Sequence, residues 1–245
     1  AVQVEVKDAY RIVKLTDGTE LSSHAVLIAT GASFHTLKMP GADALTGAGI
    51  YYGAAYTEAM NYKDKDVFVV GGANSAAQGA IYLSQFARKV TVLIRGAEPT
   101  ASKYLVDAMN ENKKLDILLN TDLIEVKGNN TLEQIVIKNT KSSESQTLDA
   151  SALFVFIGVQ PQSKVVSDLI TCDAKGYIFT GLDLMVDKKP PLGWTLERDP
   201  FLLETSIPGI FAAGDVRHGT NHRVASAVGE GAIAHALIKE YLKTL

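Results

Sequence analysis

Residues 66–94 constrain this chain most. Asp66-Val-Phe-Val-Val70 is a short apolar run, and Gly71-Gly-Ala-Asn-Ser-Ala76 supplies a turn. Residues 74–87 then carry small apolar side chains at helical spacing, and Val90-Thr-Val-Leu-Ile94 is a second apolar run. Runs this short, bounded by turn signals and joined by a helix-length segment, predict buried strands with a crossover helix. Strand twist makes such a crossover right-handed and the two strands parallel, so an α/β fold follows.

The flanking sequence extends this unit. Residues 115–138 read as short strands, with Gly128-Asn-Asn130 as the hairpin turn between 123–127 and 132–138, and 152–157 is another buried strand. Ahead of it, residues 2–7 and 10–15 alternate apolar and polar side chains, and Asp17-Gly18 supplies a turn. Residues 24–31 then form a continuous apolar run that predicts one buried strand. Residues 32–49, rich in Gly, Ala and Thr with Pro40-Gly41, read as a crossing linker.

Residues 158–205 contain few periodic runs. The segment 182–203, with Trp194, Arg198 and Phe201, reads as a solvated surface loop. A strand at 210–213 leads into Gly214-Asp215. A last helix from about Arg223 carries Val224, Ala227, Val228, Ala234, Leu237, Ile238, Tyr241 and Leu242 at the spacing of one buried face.

Composition narrows the function classes. A net charge of −3, with both signs mixed along the chain, leaves no electrostatic footprint for nucleic acid or an anionic membrane. No apolar run approaches the ~18 residues of a bilayer span. The single cysteine, Cys172, excludes an internal disulfide framework and suits a reducing, cytoplasmic compartment. No metal-ligand set is expected, and no side chain is assigned as a catalytic group.

Val69-Val-Gly-Gly-Ala-Asn-Ser-Ala76 carries the chemistry. It is a variant dinucleotide fingerprint with Gly71 first, Ala73 second and Ala76 third, and Gly72, Asn74 and Ser75 between them. A tight turn at Gly71 aims the free N–H groups and positive dipole end of the following helix at a pyrophosphate. Ala73 departs from the usual glycine, and its methyl is expected to loosen binding or shift the cofactor. Arg95 ends the second strand, 24 residues after Gly71, where NAD sites usually place an acid. Its guanidinium suits a 2′-phosphate, so NADPH is expected over NADH.

With Ala29-Thr-Gly31, Gly158, Gly214-Asp215 and Arg223-Val-Ala225 in this order around the fingerprint, residues 1–245 resemble the low-molecular-weight thioredoxin reductases and their flavoprotein relatives. The resemblance implies a Rossmann-like NAD(P)H-binding domain at 52–160, inserted into a discontinuous three-layer FAD-binding domain at 1–51 and 161–245. Connectors near 42–53 and 158–161 would serve as hinges. Thr30 and Gly31 would lie along FAD, and Asp215 would accept a hydrogen bond from the ribityl chain. Arg223, Val224 and Ala225 would open a helix facing the isoalloxazine, and Gly158 would border the nicotinamide. His218 and His222 flank that turn and read as solvent-exposed loop histidines. A homodimer and an unidentified acceptor, such as a small redox protein, are also implied.

Two departures qualify the resemblance. Gly53-Ala54-Ala55-Tyr56 stands where thioredoxin reductases carry Cys-x-x-Cys, so the expected reductase passes electrons on without an internal dithiol. No glycine fingerprint precedes residue 71, so the chain is expected to be a truncated member lacking the N-terminal, ADP-binding part of the FAD domain. A ferredoxin- or flavodoxin-NADP reductase and a non-catalytic NADPH sensor remain alternatives.

Overall fold

Residues 1–54 and 56–245 are described by a computed structural model; Ala55 lies outside them. The chain divides into two units, Ala1–Ser33 with Val159–Leu245, and Phe34–Gly158. In chain order it forms β1 (Gln3–Lys7), β2 (Tyr10–Lys14), β3 (Glu20–Ser23), β4 (Val26–Ile28) and β5 (Ala32–Phe34). There follow α1 (Ala42–Leu45), β6 (Ile50–Tyr52), α2 (Tyr56–Asn61), β7 (Asp66–Val70), α3 (Asn74–Leu83), β8 (Lys89–Leu93) and α4 (Lys103–Glu111). Then come β9 (Leu115–Leu118), β10 (Thr121–Lys127), β11 (Gln134–Asn139), β12 (Ser145–Asp149) and β13 (Ala152–Val155). The chain ends with β14 (Val159–Pro161), β15 (Ile210–Ala212) and α5 (Val224–Leu242).

In the Phe34–Gly158 unit a parallel five-stranded sheet has the order β6-β13-β7-β8-β9. Successive side chains of its strands face opposite ways, and both sets are apolar. Val67, Val69, Val90, Val92 and Phe154 pack with Ala76, Ala80 and Leu83 of α3. Phe68, Leu93, Leu153 and Val155 pack instead with Leu123, Ile135 and Ile137 of the antiparallel sheet β10-β11-β12. Continuous apolar runs are what a strand covered on both faces requires. Each fully buried large side chain contributes ~1.5–3 kcal/mol.

The stretch 32–49 is not the open linker expected. Leu37, Ala42, Leu45 and Ile50 are all buried in the core under β10–β12. The 42–53 connector is therefore packed structure, containing α1 and β6, and the division between units falls at Ser33/Phe34. Helix α3 also stops sooner than the expected 74–87, at Leu83, where Ser84 donates its hydroxyl to the Ile81 carbonyl.

In the other unit β1-β2-β3 form an antiparallel sheet, β15 pairs parallel with β4, and β14 pairs with β5. Val4, Ile28, Val166, Ile178, Ile210 and Val216 make its main core. Arg11 is buried, and its Nε donates to the Pro208 carbonyl at 3.0 Å while Nη2 donates to the Tyr241 hydroxyl at 3.1 Å.

Two sequence expectations fail here. The run 24–31 supplies only a three-residue strand in which Leu27 is 37% exposed. The expected apolar face of α5 buries only Ala234 and Tyr241, while Val224 and Val228 are 83% and 67% exposed. Within this unit α5 meets β15 and the Leu203–Ala213 cluster along part of its surface only.

Candidate functional site

The residues expected to hold the nucleotide stand at the carboxyl end of β7. Gly71 has φ +137°, and a Cβ there would lie 2.5 Å from the Phe156 carbonyl oxygen, so only glycine fits. The Gly71 amide donates to the Leu93 carbonyl at 3.1 Å, which ties the turn to β8. Helix α3 begins at Asn74 after Ala73, whose backbone is extended at φ −95°, and no side chain caps its first turn. Ala73, Asn74 and Ser75 are exposed, whereas Ala76 is buried beneath the turn. An uncapped, exposed helix start keeps free N–H donors and the positive dipole end available to an anion.

Residues 100–102 brace this turn. The amide of Thr100 donates to the Gly72 carbonyl at 2.8 Å, and that of Ser102 donates to the Asn74 side-chain oxygen at 2.8 Å. Arg95 follows the buried Ile94, is exposed, and makes no ion pair among the described residues. The Gly158 carbonyl accepts a hydrogen bond from the His35 amide at 3.0 Å.

Sequence reasoning missed the neighbouring cleft. Ala54, Ser75, Gln78, Gly79, Tyr82 and Phe156 line a space of about 240 Å³ beside α3. A Cβ on Gly79 would lie 2.5 Å from the Phe156 ring, so the ring seats on the bare helix backbone. Only the isolated Gly79 inside a helical pattern could have signalled that close approach.

The second set of features belongs to the other unit. Gly214 and Asp215 follow β15, and the Ala213 amide donates to the Ile28 carbonyl at 3.0 Å. The Oδ1 atom of Asp215 is buried without a hydrogen-bond partner among the described residues; His222 Nδ1 is 3.8 Å away. Helix α5 starts after an extended Arg223, with no side-chain cap, and Arg223, Val224 and Ala225 are exposed. Thr30 donates its hydroxyl to the Gln162 carbonyl, and Gln162 returns its amide to the Gly31 carbonyl at 2.9 Å.

Charged groups stiffen this edge. Glu230 accepts hydrogen bonds from the Gly214 amide at 2.7 Å and from Arg217 at 2.8 and 3.1 Å. Burial pushes the Glu230 carboxyl up, but those hydrogen bonds outweigh it and hold it below the ordinary value. Asp173 behaves alike: burial opposes ionisation, yet His218 at 3.0 Å and the amides of Tyr177 and Lys175 bring it below the carboxylate norm.

The single cysteine stands apart from this chemistry. Cys172 is half-buried, and burial, reinforced by Asp173, pushes its thiol up, against thiolate formation. Of the stretch 53–56, Ala54 lines the cleft and Tyr56 opens α2, while Ala55 lies outside the described residues.

Both arrangements fit the groups the sequence implies. The uncapped start of α3 and Arg95 suit a phosphorylated dinucleotide, and the orphaned Asp215 oxygen beside the uncapped start of α5 suits a hydroxyl-bearing flavin chain. Residues 1–231 match the model of the pyridine nucleotide-disulphide oxidoreductase family. Thioredoxin reductase of Peptoclostridium litorale is 34% identical over 250 residues, covering 100% of this chain and 73% of that protein. A 34.2 kDa protein in the rubredoxin operon of Clostridium pasteurianum is 31% identical, with 98% and 71% covered. Among solved structures, thioredoxin reductase of Lactococcus lactis superposes with a TM-score of 0.77 at 27% identity, and that of Streptococcus pyogenes with 0.70 at 33%. Those matches cover 100% of this chain and 74% and 73% of the respective structures. The chain therefore belongs to the pyridine nucleotide-disulphide oxidoreductases, as a thioredoxin reductase-like member of this FAD- and NAD(P)H-dependent family.

Proposed function

We propose that this chain carries the reductase chemistry of a flavoprotein that takes hydride from NADPH onto FAD and delivers electrons to an acceptor without an internal dithiol. The observation that carries the reading is a combination: two uncapped helix starts and a buried carboxylate oxygen without a hydrogen-bond partner among the described residues, in a chain with one cysteine. When bound, FAD would supply the two-electron centre. The protein would contribute orientation and electrostatics.

In this reading the α3 amides and Gly71 turn hold the pyrophosphate of the nicotinamide nucleotide, with Arg95 pairing its 2′-phosphate. Thr30 and Gly31 line the flavin chain, Asp215 accepts a hydrogen bond from a hydroxyl of that chain, and the amides opening α5 face the electron-rich edge of the ring. Gly158 borders the nicotinamide. Domains at 1–51 with 161–245 and at 52–160 remain the proposed functional division, and a cytoplasmic homodimer remains the proposed assembly. The lone Cys172, whose burial disfavours the reactive thiolate, supports an acceptor reduced directly from flavin, as in ferredoxin- or flavodoxin-NADP reductases.

Anaerobic spectroscopy of the purified chain tests this. Flavin bands bleached by NADPH, and one-electron dye reduction without turnover of thioredoxin disulfide, are the expected results. Bleaching without transfer to any dye would favour an NADPH sensor. A chain without flavin bands, or one that reduces thioredoxin disulfide by itself, would overturn the proposal.

A further inference from the structure

Glu230 lies two turns into α5, yet its carboxylate reaches back to the end of β15. One oxygen accepts from the Gly214 amide and Arg217 Nε, and the other accepts from Arg217 Nη2. Arg217 also donates to the hydroxyl of buried Thr180. One turn before Glu230, Ala227 packs against Gly214, with its Cβ 3.4 Å from where a Gly214 Cβ would stand. The side chains of Arg217 and Glu230 are only 14% and 17% exposed.

Taking two charges this far from water costs more than well-packed apolar residues would, so stability alone is a poor account of the pair. Geometry gives a better one. Every bond of Glu230 points to the segment carrying Asp215, while Asp215 itself keeps one buried oxygen without a hydrogen-bond partner among the described residues. One carboxylate is spent on the scaffold and its neighbour is left for a ligand.

We propose that Arg217 and Glu230 are positioning residues for the flavin edge. They fix the Asp215 carboxylate and the uncapped start of α5 at one spacing, and their opposite charges cancel there. This inference rests on the flavin reading above. Removing one member should therefore loosen that spacing and also leave a net charge beside the ring. An unbalanced arginine favours the negative charge added on reduction, and an unbalanced glutamate opposes it.

The test uses the full chain with Glu230→Ala, Glu230→Gln and Arg217→Met. Hydrogen exchange needs no flavin. In Glu230→Ala, the hydrogen-bonded amides of Ala213, Gly214, Arg217 and Ala227 should exchange roughly tenfold faster or more, while β1–β3 stay unchanged. Glu230→Gln, whose amide oxygen can still accept from Gly214, should show less. In flavin-loaded protein the two-electron potential should move positive in Glu230→Gln and negative in Arg217→Met. Unaltered exchange at 213–217 in Glu230→Ala overturns the inference whether or not flavin is retained. Potentials that shift together, or not at all, overturn it in loaded protein. Faster local exchange in a chain that holds no flavin upholds the clasp and counts against the flavin reading alone.

Discussion

The two units bury their hydrophobic residues by different routes. In Phe34–Gly158, strand, helix and strand follow one another closely, and both faces of the parallel sheet are covered from within the same segment. In the other unit β4 (Val26–Ile28) pairs with β15 (Ile210–Ala212) across most of the chain, and Leu27, Leu182, Leu192, Val224 and Val228 remain exposed. Closing so long a loop carries an entropic cost that must precede any contact. Local order therefore makes the Phe34–Gly158 unit self-contained. The other unit draws its order from a few long-range ties, Arg11 to Pro208 and Tyr241 among them.

The largest blow to this contrast is Phe154→Ala. Phe154 is fully buried between α3 and the aromatic rings of Tyr51 and Tyr62, so its truncation should cost ~3–5 kcal/mol. Denaturant melts should show the loss, and hydrogen exchange should place it in β7, β8 and β13. A loss shared equally by β1–β3 would mean that the units unfold as one.

Arg95→Ser should leave both cores intact and lower NADPH affinity ~10–100-fold, with NADH affinity nearly unchanged. Calorimetry with both nucleotides reads this. An equal loss for both would remove the 2′-phosphate role.

Glu230→Gln should cost ~1–2 kcal/mol at neutral pH. The Glu230 carboxyl is held below its ordinary 4.5, so its contribution is present above that value. It is lost as pH falls through the depressed folded value, and the stability gap between unaltered chain and variant should close on that acid limb. A gap constant with pH would mean that the charge is not what stabilises.

Val228→Ser should change stability by no more than ~0.5 kcal/mol, because its side chain is already mostly in water. A larger cost in thermal melts would reveal cover on this face of α5.

The same contrast explains what the sequence made legible. The β7-α3-β8 unit could be read because strand period, turn and helix lie within one window and specify each other. The Gly71 turn was legible for that reason, and so was parallel pairing. The stretch 32–49 was misread because its core residues, Leu37, Ala42 and Leu45, are spread thinly among small residues and match no regular period. In the other unit, spacing along α5 correctly marked an apolar helix but could not say which residues find partners.

Buried charge was the least visible. Glu204 directly follows the 182–203 segment expected to be a solvated loop and is fully buried, accepting from Arg198 and Phe201 of that segment and from Gly209. Trp194 is tied there too, donating its indole N–H to the Arg198 carbonyl at 2.7 Å. Nothing in a one-dimensional pattern separates such an acid from a surface one. The Glu230–Arg217 pair was hidden for the same reason.

The seat of the Phe156 ring on Gly79 constrains how this cleft can change over generations. The two positions share one volume, so a side chain can be gained at 79 only after Phe156 has shrunk. In the opposite order the first step clashes, and in the permitted order it leaves a hole. A smaller residue at 156 should thus be tolerated as an intermediate, whereas a larger one at 79 should be reachable only by way of it. The ordering makes the shape of the cleft historically sticky, even though no chemical group within it is fixed by the pair.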